Sequence, residues 1–236
     1  MFTLLHASGS TFTADNWRML FRSVLQPIFE DFQDPESKKT DVPSTIWVQA
    51  LALEVELFNV FFDALVSTSV LDMVLDLVLS FTVQKNENLA KTGVLCLQKL
   101  ITKNARGFRE PEWTRVTDLL QQAFERTAPV ELAQPPTKEF DFAKILIKVA
   151  VHLELIKCLR DVATVEVLEC VPASSWSRWL QLLKQSFQFA ARFNENYDLR
   201  FALVTAGFVV KVPTLNQQET VALTAYLLVS FRLYRL

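Results

Sequence analysis

The chain has 236 residues, 50% of them hydrophobic and 21% charged, with a formal net charge of -2. That is enough apolar material for one elongated core or two halves, and it leaves no basic field to hold nucleic acid as a main partner. The four glycines, Gly9, Gly93, Gly107 and Gly207, lie far apart, so no phosphate-cradling loop or dinucleotide fingerprint can be built. Asn-Gly and Asp-Gly hairpin turns are missing too, and the chain reads as all-α.

In chain order, residues 2–8 read as the tail of a helix. Thr13 or Asp15 can cap the next one, which runs to about Phe32. Pro27 falls inside it, removing a backbone bond and crowding the carbonyl four residues back, so a kink is expected. Residues 33–41 read as a polar loop, and Pro43 suits the first turn of a long helix reaching about Val66. Its apolar face is Trp47, Leu51, Phe58, Phe61, Phe62 and Leu65. A helix over 70–82 follows the break at Ser67-Thr68-Ser69. Asn86 or Asn88 caps one that ends at 104–107, with Ala90 and Gly93 letting a neighbour approach closely.

Pro111 opens a helix to about Arg126, and residues 129–139, with Pro135-Pro136, form the clearest linker. Residues 1–128 and 140–236 are then two helical-repeat segments, the second packed as a continuation of the first. Further helices are expected over 140–162, 165–170, from Ser174 or Ser175 as cap to about Asn194, over 197–207 with Gly207 as stop, and over 217–233. No stop follows Leu236, so the chain is expected to continue in a longer protein.

One pattern recurs three times. An apolar residue stands five positions before a tryptophan: Phe12 with Trp17, Phe108 with Trp113, Val171 with Trp176. Apolar residues follow at helical spacing: Leu20, Val24, Ile28; Val116, Leu120, Phe124; Trp179, Leu183, Phe187. Repeated helix starts with one apolar face predict stacked helices, each covering its neighbour. The unequal gaps between the three tryptophans make the stack irregular. The predicted architecture is a HEAT/armadillo-like α-solenoid of about ten to twelve helices.

Residues that could carry chemistry are few. Cys96, Cys158 and Cys170 read as reduced core residues of a cytosolic protein. His6 and His152 give no zinc-ligand spacing, and His152, in an apolar run, reads as a core histidine with its polar atoms satisfied. Asp72 and Asp76, one helical turn apart with Glu87 nearby in sequence, lack the second acidic cluster that a magnesium site needs, so they read as solvated acids. Arg192, Asp198 and Arg200 flank a tight helix junction and read as an ion pair or helix-end interaction. No serine sits in a nucleophile elbow. The apolar face of the last helix, ending in Arg232 and Arg235, could rest on a membrane but more simply packs inward. The amino terminus lacks the features of a signal peptide and no run is long enough to span a bilayer, so a soluble protein is expected.

Several stretches resemble the carboxy-terminal region of the large brefeldin-A-inhibited guanine-nucleotide exchange factors for Arf GTPases. They are F-x4-W-x3-F-x3-L-x-P-I-F over 12–29, Q-x-N-E-x-L-A-x2-G-x2-C-L-x2-L over 84–100, and Leu153-Glu154-Leu155-Ile156. Over 190–234 the pieces A-R-F-N-x-N, L-R-x2-L, A-G-F, P-x-L-x2-Q-E-T and F-R-L-Y follow in the family's order. The resemblance implies HEAT-like repeats downstream of a catalytic exchange domain. It implies a role in restraining or releasing exchange, in dimerisation, and in recruitment by small GTPases of the Arf/Rab type to Golgi membranes. Expected partners are those GTPases, other domains of the same factor, a second copy, and the peripheral trans-Golgi surface from the cytoplasm, with no nucleic acid. No catalytic, cofactor-binding or metal residues are expected. The family's exchange loop, F-R-x-P-G-E-x-Q-K-I, is matched only at Phe108-Arg109, and Glu110 and Glu112 read as first-turn helix acids. A trafficking scaffold or adaptor lacking any exchange domain would share these features, and an all-α enzyme is the third possibility.

Overall fold

The computed structural model describes residues 1–33, 43–137, 140–207 and 213–235. The polar stretch 34–42, the last two residues of the expected linker, Phe208 and Leu236 lie outside the described residues. Among the described residues every regular element is helical, and 12 helices fall within the expected range. They are α1 (Phe2–Ser8), α2 (continuous over 14–33), α3 (Ser44–Val60), α4 (Phe62–Leu65), α5 (Val70–Thr82) and α6 (Glu87–Asn104). Then come α7 (Glu110–Thr127), α8 (Phe142–Val162), α9 (Val165–Leu168), α10 (Ala173–Glu195), α11 (Tyr197–Thr205) and α12 (Pro213–Tyr234).

The long helices form two layers. In one, α3 packs on α6, α6 on α8, and α8 on α12; in the other, α5 packs on α7 and α7 on α10. The ring of Phe29 on α2 meets that of Phe81 on α5, which adds α2 to the second layer. Neighbours within a layer run in the same direction: Asn104, ending α6, donates to Asn59 near the end of α3, and Arg232, near the end of α12, donates to the Ala163 carbonyl just past α8. Chain reversals at α5–α6, α7–α8 and α10–α12 join the layers. This alternation is solenoid-like, and it buries one continuous apolar cluster from Leu5 to Val229. Each fully buried Leu or Phe in it contributes about 1.5–3 kcal/mol. A smaller cluster gathers Leu132, Ile145, Val149, Phe193, Leu199, Leu203 and Leu215, so the segment expected as a plain linker includes a 3-10 turn, Val130–Ala133, whose Leu132 is buried.

The tryptophan repeat has a local cause. Thr13, Arg109 and Pro172 are the cap residues of α2, α7 and α10. The apolar residue therefore sits just before each cap and the tryptophan at the fourth helical position, the two ends of a hydrophobic staple. Phe12 meets Trp17 with ring centroids 5.1 Å apart, and Phe108 meets Trp113 at 5.2 Å. Thr13 also caps by accepting from the Asn16 N–H, and the Glu112 carboxylate accepts from the Arg109 N–H.

Beyond the staple the three copies diverge. In α7 the expected stripe of Trp113, Val116, Leu120 and Phe124 is buried. In α2 the buried residues are Trp17, Phe21, Leu25 and Phe29, while Val24 and Ile28 are 41% and 38% exposed. The reason is a π-helical stretch, Phe21–Leu25, whose wider turn changes the period to four. It lies directly before Pro27, which has no N–H for the Ser23 carbonyl, so the expected proline disturbance takes the form of a wide turn. In α10 the fully buried indole is Trp179, one turn later than the half-buried Trp176.

Other boundaries differ too. The helix after Pro43 stops at Val60, because Phe61 leaves helical geometry (φ -106, ψ 28). The break sends neighbouring rings to separate places: Phe61 stacks 4.7 Å from Trp17, and Phe62 lies 5.5 Å from Phe108. Pro43 is the cap itself, one residue outside the helix. Neither Ser174 nor Ser175 caps α10; Pro172 holds that place and Ser175 is buried inside the first turn. Helix α12 begins four residues earlier than expected, at Pro213, where a missing N–H costs nothing. Asn86 rather than Asn88 caps α6, accepting from the N–H groups of Asn88 and Leu89. Gly93 does permit close approach, since a Cβ there would lie 2.6 Å from the Thr82 nitrogen. Gly207, at φ +90, ends α11 as expected.

Candidate functional site

The most developed polar arrangement lies where α7, α8, α10 and α12 meet. The Thr127 hydroxyl, in the last turn of α7, donates to the Ala123 carbonyl at 2.7 Å. Its single proton is thereby used, so it accepts from His152 Nδ1 at 3.0 Å. His152 Nε2 is then the accepting nitrogen and takes the Ser186 hydroxyl proton at 2.9 Å. Gln218 extends the chain from α12, donating to the Ser186 carbonyl at 3.2 Å. All four side chains are buried, and the edge of Phe124 closes over the imidazole with centroids 5.1 Å apart. Burial disfavours the imidazolium and pushes the His152 pKa down to about 4, so the ring is neutral near pH 7.

A serine hydroxyl on a histidine nitrogen is also the first half of a nucleophile–base pair, and sequence spacing gave no sign of it. The rest of such a site is missing. The imidazole is oriented by a threonine hydroxyl, where a carboxylate would be needed to stabilise a charged ring. Ser186 sits in the middle of α10, where the backbone N–H groups are committed to the helix and cannot serve an oxyanion. The arrangement joins helices, as the core-histidine reading expects. The available signal was the polar residue interrupting an apolar stripe: Ser186 falls between Trp179, Leu183, Ala190 and Phe193.

Beside this chain two recesses, of about 320 and 430 Å³, share Gln185 and Phe189 and so form one groove along α10. Its walls are Phe124 and Val130 at one end and Leu132, Arg192 and Leu199 at the other. Arg178 closes the near end by donating to Asp118 and Gln121 of α7.

The other residues weighed for chemistry stay apart. Asp72 pairs with Arg115 of α7 at 3.3 Å, and the Asp76 carboxyl is raised by burial and then by the Asp72 charge. Arg200 donates to the Asn194 carbonyl at 3.0 Å, a helix-end interaction, while Arg192 lines the groove and Asp198 is exposed. Cys96 and Cys158 are buried free thiols pushed up to about 11 and about 12, both chiefly by desolvation. Among the described residues no group of acids, histidines and cysteines could hold a metal ion, and no helix is long and apolar enough to cross a membrane.

Comparison with known proteins places these features in context. The family described as the BIG2 C-terminal domain matches residues 150–236. The Arf guanine nucleotide-exchange factor sec72 of Schizosaccharomyces pombe is 25% identical over 100% of this chain and 16% of its own length. Its relative sec71 is 22% identical over 98% of this chain and 15% of its own length. Human brefeldin A-inhibited guanine nucleotide-exchange protein 1 is 25% identical over 99% of this chain and 18% of its own length. The chain thus spans less than a fifth of the length of these curated relatives. No solved structure matches it. Its homologues are Arf exchange factors of the Sec7 and brefeldin-A-inhibited types, and it corresponds to a carboxy-terminal part of them outside the exchange domain.

Proposed function

We propose, from this homology with large Arf exchange factors, that the chain is a non-catalytic regulatory and interaction segment of such a factor, acting in Golgi vesicle traffic. It restrains or releases exchange carried out by another domain, supports dimerisation, and meets small GTPases of the Arf/Rab type at the peripheral Golgi membrane. The observation that carries this reading is the pairing of near-complete coverage here with under a fifth of each relative. Support also comes from the His152–Ser186 pair, whose surroundings provide neither an orienting carboxylate nor oxyanion donors. A layered helical stack offers extended faces, which suits contact with other proteins.

The test is nucleotide release from an Arf GTPase. The purified chain alone should leave the release rate unchanged, and adding it to the exchange domain should alter that domain's rate. Faster release with the chain alone contradicts the proposal.

A further inference from the structure

Four cations converge where the α5–α6 turn, the last turn of α7 and the first turns of α8 meet. Lys85, Arg126, Lys144 and Lys148 line a recess of about 50 Å³, and no acidic side chain lines it. Lys148 is paired with Glu131 on the neighbouring 3-10 turn. Among the described residues, Lys85, Arg126 and Lys144 have no acid within ion-pair distance, and all three are exposed. Three uncompensated positive charges thus face one small space, on a chain whose net charge is -2. Like charges held together are unfavourable until a counter-charge arrives.

We propose that this recess binds a phosphate group, carried either by a soluble phosphorylated molecule or by a lipid headgroup. The cations reach it from three separate elements, which suits the tetrahedral spread of phosphate oxygens better than a planar carboxylate. Arg126 supplies a guanidinium fork and the lysines supply point charges, the usual division of labour around phosphate. The volume admits a few water molecules or one oxyanion. Gln84 and Thr127 lie at the rim, and Ile147 and Val151 contribute an apolar wall. This site does not depend on the regulatory reading, because it follows from the placement of charges alone.

Two titrations test it. Inorganic pyrophosphate added to the whole chain at low salt should give saturable backbone amide shifts at 82–85, 126–127 and 144–151. Replacing Lys85, Arg126 and Lys144 together by Gln should weaken binding about tenfold or more, as should raised salt, while leaving the melting curve in place. Glu131→Gln, which releases Lys148, should instead tighten binding, and it serves as the second variant if the triple one fails to fold. Flotation with phosphatidylcholine vesicles, plain or doped with phosphatidylinositol monophosphate, separates the sources. Flotation that needs the doped lipid and is lost in the triple variant assigns a headgroup; saturable pyrophosphate binding without flotation assigns a soluble ligand. No saturable shift and no flotation, or equal binding by wild type and both variants, overturns the proposal.

Discussion

Helices α7 and α10 lie side by side and run the same way, yet their two ends are joined by opposite chemistry. At the amino-terminal end the contact is aromatic. Trp113 and Trp179 meet with centroids 5.9 Å apart, and rings continue through Phe108, Phe62 and Phe58 at separations of 5.2 to 5.9 Å. Its only polar link among the itemised contacts is the Trp179 Nε1–H donated to the Thr117 hydroxyl at 3.2 Å. At the carboxy-terminal end the contact is the Thr127–His152–Ser186–Gln218 chain. The aromatic end gains by removing area from water, with edge-to-face pairs adding about 0.5–1.5 kcal/mol each, and it has no group that titrates near neutrality. The polar end is worth little net, but losing any one partner is costly because the others stay buried. One helix pair is thus fixed in distance by rings and in register by hydrogen bonds.

The largest way to break this arrangement is Trp179→Ala. It removes an indole with no exposed surface and should cost about 3–5 kcal/mol, read by urea unfolding. Trp113→Ala should fall in the same range, and Trp176→Ala well below it, because that indole is only half-buried.

Acid should act on the other end. The His152 pKa is about 4 folded against an ordinary 6.5, so its neutral form is favoured in the native state. That contribution is fully present above pH 6.5 and is lost as pH falls through about 4, amounting to about 3 kcal/mol. Glu54, in α3, bears on the same contrast with the opposite sign. Burial pushes its pKa up from 4.5 to about 8, and its Oε2 has no partner. The protonated form is native, so stability falls as pH rises from 4.5 through 8. Glu54→Gln should therefore raise stability at pH 7 by about 2 kcal/mol, with the gain shrinking towards pH 5. A melt unchanged at both pH values would show the carboxyl to be solvated.

The smallest effect sharpens the comparison of α2 with α7. Val24→Ser, on the outer side of the wide turn, should change stability by less than about 0.5 kcal/mol, whereas Leu25→Ser should cost several times that. Equal losses would return α2 to the regular helical period.

Those last two residues also show what the sequence could convey. The staples at Phe12–Trp17 and Phe108–Trp113 are local, within six residues, and so were legible as a repeat. So were Asn86, Pro111 and Gly207, whose effects act within one turn. The outer placement of Val24 and Ile28 was not legible, because a π turn changes the period without changing composition. The break at Phe61 was hidden for a related reason: it follows from where Trp17 and Phe108 stand in the finished stack. The polar chain was half legible. His152 reads as a core histidine from its own apolar run, but Thr127 and Ser186 lie 25 and 34 residues away, and only helix packing brings them together. The four-cation recess escaped notice likewise, since Lys85, Arg126 and Lys144 form no run in the chain.

Stability measured against pH, from 8 down to 4, for wild type, Trp179→Ala and His152→Leu tests the two-ended coupling most directly. The Trp179→Ala curve should run parallel to wild type, displaced downward by a constant amount. The His152→Leu curve should start below wild type and converge on it as acid removes the neutral imidazole's contribution. Parallel curves for both variants, or convergence of the tryptophan variant instead, would contradict the division of this helix pair into an aromatic end and a proton-sensitive one.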